Sequence, residues 1–191
     1  MQKKKPGNVR IIAGQWRGRR LPVPDIEGLR PSGDRSREVL FNWLQPHLPG
    51  AVCVDLFAGT GVLGLEAVSR GAAKATLVEQ SRPAAASIRA SLAALGAKSV
   101  TLVEGDALRW LESQAPQSAD IVFIDPPFGL GLGETALERV LAVNLLRPGA
   151  LVYLESPRLE APDHPMAAFE IVKEKVLGEV RMQLLHEIVA L

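Results

Sequence analysis

The segment of this chain best suited to chemistry consists of Asp125, Pro126, Pro127 and Phe128. It follows the apolar run 121–124, which predicts a strand buried on both faces. The prolines fix the backbone and remove two N–H donors, so nearby carbonyl groups can accept hydrogen bonds from a ligand. Acceptors around an amine, beside the flat ring of Phe128, suit a planar base with an exocyclic NH2 group. The alternative is a strand-ending turn, in which Asp-Pro and Pro-Pro pairs are common.

A glycine-rich loop is the second candidate site. Gly59, Gly61 and Gly64 lie between the strand-like run 52–57 and a helical pattern at 65–70. A strand, a glycine loop and a helix in this order let a nucleoside ligand approach the backbone N–H groups. The spacing matches the dinucleotide fingerprint, which alone does not say which nucleoside cofactor binds.

Carboxylates that follow four successive predicted strands narrow the choice of cofactor. Asp55, at the mouth of the glycine loop, would repel a pyrophosphate but attract a cofactor with ammonium and sulfonium groups. We therefore favour S-adenosylmethionine over NAD. Glu79 is expected to hold ribose hydroxyl groups, and Asp106 to accept from the adenine amine; Asp125 is the fourth carboxylate. The expected cofactor-binding residues are Asp55, Phe57, Gly59, Thr60, Gly61, Glu79, Asp106 and Ala107.

Alternating strand and helix patterns supply the elements that position these residues. Their order predicts an α/β, Rossmann-like fold with a mostly parallel, seven-stranded sheet that ends in an antiparallel hairpin. We expect Ser32 or Asp34 to cap the first helix, and 155–165 to form a loop. The predicted strands are 52–57, 75–78, 99–103, 121–124, 150–154, 169–176 and 180–189, and the predicted helices are 34–47, 65–70, 84–95, 107–113 and 135–146.

The composition predicts a single α/β domain. A chain of 191 residues, 47% of them hydrophobic, is long enough to bury one core. The apolar runs are only as long as strands, and the basic residues 1–7 precede no apolar segment, so we expect no membrane span and no secretory signal. Cys53, the single cysteine, falls in a predicted buried strand, which favours the reducing cytoplasm. His47, His164 and His186 lack the spacing of metal ligands, so no metal is expected.

A basic N-terminal extension contrasts with the remainder of the chain. Residues 1–40 hold ten Lys and Arg against four acidic residues, a net charge of +6, whereas the rest of the chain carries −5. This asymmetry predicts an element that binds a polyanion, with Trp16 as a stacking group. Apolar pairs at 11–12 and 21–23 predict a small hairpin. The alternative is a solvated basic face.

Four stretches of the chain resemble class I S-adenosylmethionine-dependent methyltransferases, and more narrowly the bacterial RsmD family of 16S rRNA guanine-N2 methyltransferases. Residues 55–64 and 125–128 match motifs shared by many amino methyltransferases, whereas 10–21 and 30–44 match the narrower family. The resemblance implies a guanine of 16S rRNA as substrate, within the small ribosomal subunit or its assembly intermediate. We expect the protein to act as a monomer.

The resemblance leads to expected roles for named residues. We expect 1–30 to be a basic RNA-binding extension and 31–191 to be the methyltransferase domain. Asp125 and the Pro126 carbonyl would each accept one N–H of the guanine amine and turn its lone pair toward the methyl group. Phe128 would stack on the base, and Pro127 completes the catalytic segment. The expected RNA-binding residues are Arg10, Trp16, Arg17, Arg19, Arg20, Arg30 and Arg35.

Two other classes of function remain open on the residues alone. One is an amino methyltransferase that acts on adenine N6 of DNA or RNA, or on a protein glutamine, because the Asp-Pro-Pro-Phe segment suits each of these amines. The basic extension favours nucleic acid over protein. The other is a non-catalytic nucleic-acid-binding module with a vestigial cofactor fold, which the intact Asp55, Gly59, Gly61 and Asp125 disfavour. A dehydrogenase is a more distant alternative.

Overall fold

The N-terminal extension forms the small hairpin that its apolar pairs predict. The computed structural model describes residues 7–26, 33–159 and 166–188. Strands β1 (Asn8–Arg10) and β2 (Arg20–Pro22) pair antiparallel, with Val9 opposite Leu21. Both of these side chains are buried against the rest of the fold, which supplies the apolar surface that an isolated pair of strands lacks.

A seven-stranded sheet forms the centre of the fold and confirms the predicted fold class. Its spatial order is β5, β4, β3, β6, β7, β9, β8, in which β3 to β7 pair in parallel and β9 runs antiparallel to both β7 and β8. The sheet strands are β3 (Val52–Asp55), β4 (Lys74–Glu79), β5 (Val100–Glu104), β6 (Ala119–Ile124), β7 (Leu146–Pro157), β8 (Phe169–Leu177) and β9 (Val180–Glu187).

Within the described ranges, five α-helices connect and cover the strands. α3 begins where the Ser81 hydroxyl accepts from the Ala84 N–H, and it ends at Gly96, whose φ of 61° is left-handed. The helices are α1 (Asp34–Leu44), α2 (Val62–Ser69), α3 (Arg82–Leu95), α4 (Ala107–Leu111) and α5 (Leu132–Ala142), with short 3-10 turns at Gln45–His47 and Met166–Ala168.

Three local predictions need correction. The helix predicted at 135–146 ends at Ala142, because Asn144 takes a left-handed φ of 50° and Leu146 already belongs to β7. Gly33 occupies the N-cap position of α1 without a side-chain bond, so Asp34 is not the cap; Ser32 lies outside the described residues. Residues 155–157 continue β7 instead of forming a loop.

The two faces of the sheet hold two apolar clusters. One lies under α1, α2 and α3 and includes Phe41, Phe123 and Tyr153, whose rings meet at centroid distances of 6.1 and 6.5 Å. The other lies under α4 and α5 and includes Leu111 and Leu137. Burying each of these large side chains contributes roughly 1.5–3 kcal/mol, so the sheet that carries the site is rigid. Over the ranges that the structure describes, no helix is both long and apolar enough to cross a bilayer.

The N-terminal hairpin is anchored on α2 by buried hydrogen bonds. The Glu66 carboxylate is 0% exposed and accepts from the backbone N–H groups of Ile12 and Ala13, at 2.8 and 2.9 Å. The guanidinium groups of Arg37 and Arg70 also donate to it, at 3.2 and 2.8 Å. A buried carboxylate costs free energy unless it is paired and hydrogen-bonded, and here both oxygens are satisfied. The hairpin is therefore fixed to the helix that follows the glycine loop.

Candidate active site

Carboxylates converge at the carboxyl edge of the sheet. Asp55 ends β3, Glu79 ends β4 and Asp125 follows β6 directly. Because β3, β4 and β6 are adjacent and parallel, their ends meet at one edge, where open α/β sheets bind ligands. The charges of Asp125 and Glu79 both raise the pKa of Asp55, so the three groups share one electrostatic environment.

The glycine loop between β3 and α2 uses its glycines in two ways. Gly59 and Gly61 have left-handed φ angles of 56° and 77°, which side chains other than glycine rarely adopt. Gly61 is also the N-cap of α2. Gly64 serves packing instead, because a Cβ atom there would lie 2.2 Å from the Leu77 Cδ2 atom. The loop thus opens its backbone toward the sheet edge while α2 lies close against β4.

Asp55 carries an unsatisfied charge. Its side chain is 1% exposed, and its Oδ2 atom accepts a long bond of 3.3 Å from the Gly64 N–H. Its Oδ1 atom is buried and has no hydrogen-bond partner among the residues that the structure describes. Burial, with the neighbouring carboxylates, raises the pKa of Asp55 to about 7. A cationic group beside Oδ1 would favour the ionised form of this carboxylate.

Glu79 and Asp106 hold the neighbouring loops. The Glu79 carboxylate accepts from the N–H groups of Gly59 and Ser81, both at 2.7 Å, and so ties the glycine loop to the end of β4. Asp106 is exposed and caps α4 by accepting from the Arg109 N–H at 2.9 Å. The Gly105 N–H donates to the Glu79 carbonyl oxygen, which brings the Asp106 segment beside Glu79. Of the other expected cofactor residues, Thr60 and Ala107 are buried and Phe57 is half-buried.

The Asp-Pro-Pro-Phe segment passes from a buried to an exposed environment. Asp125 is half-buried and Pro126 is buried, whereas Pro127 is exposed and Phe128 is 47% exposed. Beyond them, a cavity of about 200 Å³ separates the segment from the end of β7. Its lining includes Pro126, Phe128, Gly133, Leu154, Glu155 and Ser156. An exposed ring beside a cavity is suited to hold a planar ligand.

Sequence reasoning missed Glu155 and Tyr153. Glu155 is 7% exposed near the end of β7, and the Tyr153 hydroxyl donates to its Oε2 atom at 2.7 Å. Burial, with the charge of Asp125, raises the pKa of Glu155 to about 8, and burial also raises the pKa of Tyr153. The rule that found four carboxylates, one after each strand, also applies to Glu155, because this residue directly follows the predicted strand 150–154. Over the described part of the chain, no group of His, Cys, Asp and Glu is arranged to hold a metal ion.

Five of the six described arginines predicted to lie in the basic N-terminal region are exposed, but Arg37 and Trp16 are buried. Trp16 is 8% exposed and packs in the core, so in this conformation it is not available to stack on a base. The Arg19 guanidinium donates to the Ala94 carbonyl oxygen of α3 at 2.8 Å, and Arg10 pairs with Asp34 at 3.2 Å. Arg30 lies outside the described residues. The exposed arginines are Arg10, Arg17, Arg19, Arg20 and Arg35.

This strand order, with a glycine loop after β3 and the buried Asp55 carboxylate beside it, is that of a Rossmann-like fold with a site for a nucleoside ligand at the sheet edge. The family model described as Conserved hypothetical protein 95 matches residues 9–186, and the chain belongs to this family, the RsmD family. The resemblance found in the sequence is thereby confirmed, and the chain is a methyltransferase.

Two relatives and a solved structure are similar to this chain over most of its length. Ribosomal RNA small subunit methyltransferase D of Escherichia coli (strain K12) is 46% identical over 178 residues, which cover 93% of this chain and 89% of the relative. The protein of the same name from Haemophilus influenzae is 42% identical and covers 93% of each chain. The solved structure of yhhF from Escherichia coli is 45% identical, with a TM-score of 0.84 over 95% of this chain and 98% of that one. These names do not favour the adenine or glutamine alternatives.

Proposed function

We propose that this protein transfers a methyl group from S-adenosylmethionine to the exocyclic N2 of one guanine in 16S rRNA of the small ribosomal subunit. The observation that carries the proposal is the joint presence, at one sheet edge, of the buried Asp55 carboxylate, whose Oδ1 atom has no hydrogen-bond partner among the described residues, and the Asp-Pro-Pro-Phe segment beside a cavity. The relatives named as small-subunit rRNA methyltransferases support the choice of RNA as substrate.

The residues around the glycine loop fit S-adenosylmethionine. The buried Oδ1 atom of Asp55 would accept from the ammonium group, and that contact would supply the missing partner. Glu79 would hold the ribose hydroxyl groups, while Asp106 and the Ala107 N–H would face the adenine. The remaining proposed contacts come from Phe57, Gly59, Thr60 and Gly61. When bound, the cofactor supplies an electrophilic methyl group on its sulfonium.

The Asp-Pro-Pro-Phe segment would prepare the amine for transfer. The guanine N2 is a poor nucleophile because its lone pair is delocalised into the ring. If Asp125 and the Pro126 carbonyl each accept one N–H, the lone pair turns out of the ring plane and toward the methyl group. The charge of Asp125 also stabilises the positive charge that develops on nitrogen, and the methylated amine, which is acidic, then releases one proton to water as S-adenosylhomocysteine is left behind. Phe128, with its exposed ring, would stack on the extruded base and contribute about 1–3 kcal/mol.

The exposed arginines of the N-terminal region would hold the rRNA backbone. Arg17, Arg19 and Arg20 lie on one small hairpin that the buried bonds to Glu66 and Ser69 fix to the catalytic domain. Arg10, Arg30 and Arg35 complete the proposed RNA-binding set. Residues 1–30 act as the RNA-binding extension in this proposal, although residues 7–26 share the core of the domain with 33–159. The substrate is the subunit or its assembly intermediate, and the enzyme acts as a monomer.

The reaction is tested by mass-spectrometric mapping of rRNA nucleosides from a strain that lacks the gene. We expect the loss of one N2-methylguanosine, which the wild-type gene restores and the Asp125→Ala variant does not. Purified Asp125→Ala should still bind S-adenosylhomocysteine in calorimetry, because the glycine loop is intact. A full set of N2-methylguanosines in the deletion strain would refute the proposed function, and wild-type turnover by Asp125→Ala would refute the role of that carboxylate.

The role of the hairpin is tested by replacing Arg17, Arg19 and Arg20 together with glutamine. The variant should bind subunit RNA more weakly, and the log–log dependence of binding on salt should fall by roughly 0.7 for each lost contact to single-stranded RNA. Cofactor affinity should not change. A matched control replaces three exposed cations at the other end of the chain, which are Arg158, Lys173 and Lys175. Equal salt dependence in the two triple variants would show that the hairpin arginines form only a solvated face.

A further inference from the structure

We infer that Glu155, held in place by the Tyr153 hydroxyl, is a specificity-determining residue that accepts the N1–H of the target guanine. The inference rests on the proposed function and adds a second point of recognition to the same site. Asp125 would accept a hydrogen bond from the amine, and Glu155 would accept one from the neighbouring ring N1–H.

The register of the sheet places the two carboxyl groups side by side. Phe123 pairs with Tyr153, and Ile124 pairs with Leu154, across the parallel strands β6 and β7. The next position on each strand is Asp125 and Glu155. The charge of Asp125 raises the pKa of both Glu155 and Tyr153, which agrees with their lying on one face of the sheet. Asp55 belongs to the same group, because it pairs with Phe123 across β3 and β6.

The carboxyl group of Glu155 is held in a fixed position. The Tyr153 hydroxyl engages Oε2 at 2.7 Å, and Tyr153 itself is 1% exposed, with its ring against Phe123 at 6.5 Å. The carboxyl group therefore cannot swing freely, and Oε1 is the oxygen that we assign to the ligand. Glu155 also lines the cavity beside Pro126 and Phe128, so a base stacked on that ring lies within its neighbourhood.

The chemistry of this acceptor selects guanine among bases that carry an amine. Guanine presents two adjacent donors, the N2 amine and N1–H, whereas adenine and cytosine present a ring nitrogen acceptor beside their amines. A carboxylate next to Asp125 matches the first pattern and repels the second. Burial, with the charge of Asp125, raises the pKa of Glu155, and a hydrogen bond from N1–H of guanine favours the ionised carboxylate over the protonated one.

The test exchanges the target guanine for 2-aminopurine, which keeps the amine but has an acceptor at N1. The target is first located by mapping the wild-type product, and the substitute is introduced into reconstituted subunits by RNA ligation. Measured at a pH above the raised pKa of Glu155, wild-type enzyme should prefer guanine by at least hundredfold in kcat/KM, because the ionised carboxylate has no proton to donate to N1 of 2-aminopurine. In Glu155→Gln, the amide can donate to N1 of 2-aminopurine, and the preference should fall by tenfold or more.

Three controls separate recognition from folding. Glu155→Gln should bind S-adenosylhomocysteine as the wild type does, whereas loss of that binding would overturn the assignment of Glu155 to the base. Tyr153→Phe keeps the carboxylate and should lower kcat/KM for guanine without reversing the preference. Glu138→Gln, the same change at an exposed position of α5, should alter neither ratio.

The outcomes for the two proposals differ. An active wild-type enzyme whose preference for guanine is unchanged within twofold in Glu155→Gln overturns this inference alone. A wild-type enzyme that methylates no guanine N2 in subunits refutes the proposed function itself.

Discussion

The affinity for S-adenosylhomocysteine should depend on pH through Asp55. This carboxylate is 1% exposed, and burial, with the nearby charges, raises its pKa to about 7 in the free protein. The ammonium group of the ligand favours the ionised form, so binding requires that Asp55 lose its proton. Affinity should therefore rise as the pH increases toward 7 and level off above it.

The size of the effect follows from the pKa. If Asp55 is fully ionised in the complex, the apparent dissociation constant is inversely proportional to the fraction of free protein in which Asp55 is ionised. It should fall by about tenfold for each pH unit well below 7, and by about 25-fold in total between pH 5.5 and 7.5. Near pH 7, binding should release about half a proton, because about half of the free Asp55 groups are protonated there.

Isothermal titration calorimetry measures both quantities, with buffers of different ionisation enthalpy used to count protons. Asp55→Asn is the matched control, since the amide keeps the shape of the side chain but does not titrate. It should bind more weakly, with little dependence on pH over the same range. Wild-type affinity that stays constant between pH 5.5 and 7.5 would refute the assignment of the buried Oδ1 atom to a cation.

The raised pKa of Asp55 also predicts that the free protein loses stability as the pH rises from about 4 to about 7, since folding then opposes ionisation of Asp55.

Two further predictions concern stability. Gly64→Ala should lower the free energy of unfolding by about 1–3 kcal/mol, because its Cβ would overlap the buried side chain of Leu77. The control Gly105→Ala, which has open space at that position, should cost far less. Equal melting temperatures of the two variants would contradict the close approach of α2 to β4. Glu66→Gln should cost about 3–5 kcal/mol in chemical denaturation, since it leaves the fully buried Arg37 guanidinium with less negative charge around it, and a loss below about 1 kcal/mol would show that the pair is not needed.

The parts of the fold that follow from local patterns could be predicted from the sequence. Buried parallel strands appear as continuous apolar runs, and ligands bind at the ends of such strands. The sheet and the carboxylates at its edge could therefore be predicted. The helix at 84–95 was predicted to within two residues, because Gly96 marks its end chemically. The end of α5 was missed, although asparagine, the residue at 144, is a type that favours the left-handed conformation at helix ends.

The features that depend on distant contacts could not be predicted. Trp16 was interpreted as exposed because it stands among arginines, but its burial depends on α2, whose Ser69 hydroxyl accepts from the Trp16 N–H at 3.0 Å. Glu66 was not singled out, because a glutamate within a helical pattern suggests a solvated face. Only the fold shows that it accepts from two backbone N–H groups more than fifty residues earlier in the chain.

The attachment of the hairpin to Glu66 and Ser69 has a consequence for the order in which the protein is made. During synthesis the arginine-rich N-terminus leaves the ribosome first, when its partners on α2 do not yet exist. A hairpin of two three-residue strands is not stable alone in water. The nascent chain therefore carries its cationic residues without the geometry that arranges them, and it gains that geometry only when the helix beside the cofactor loop has folded.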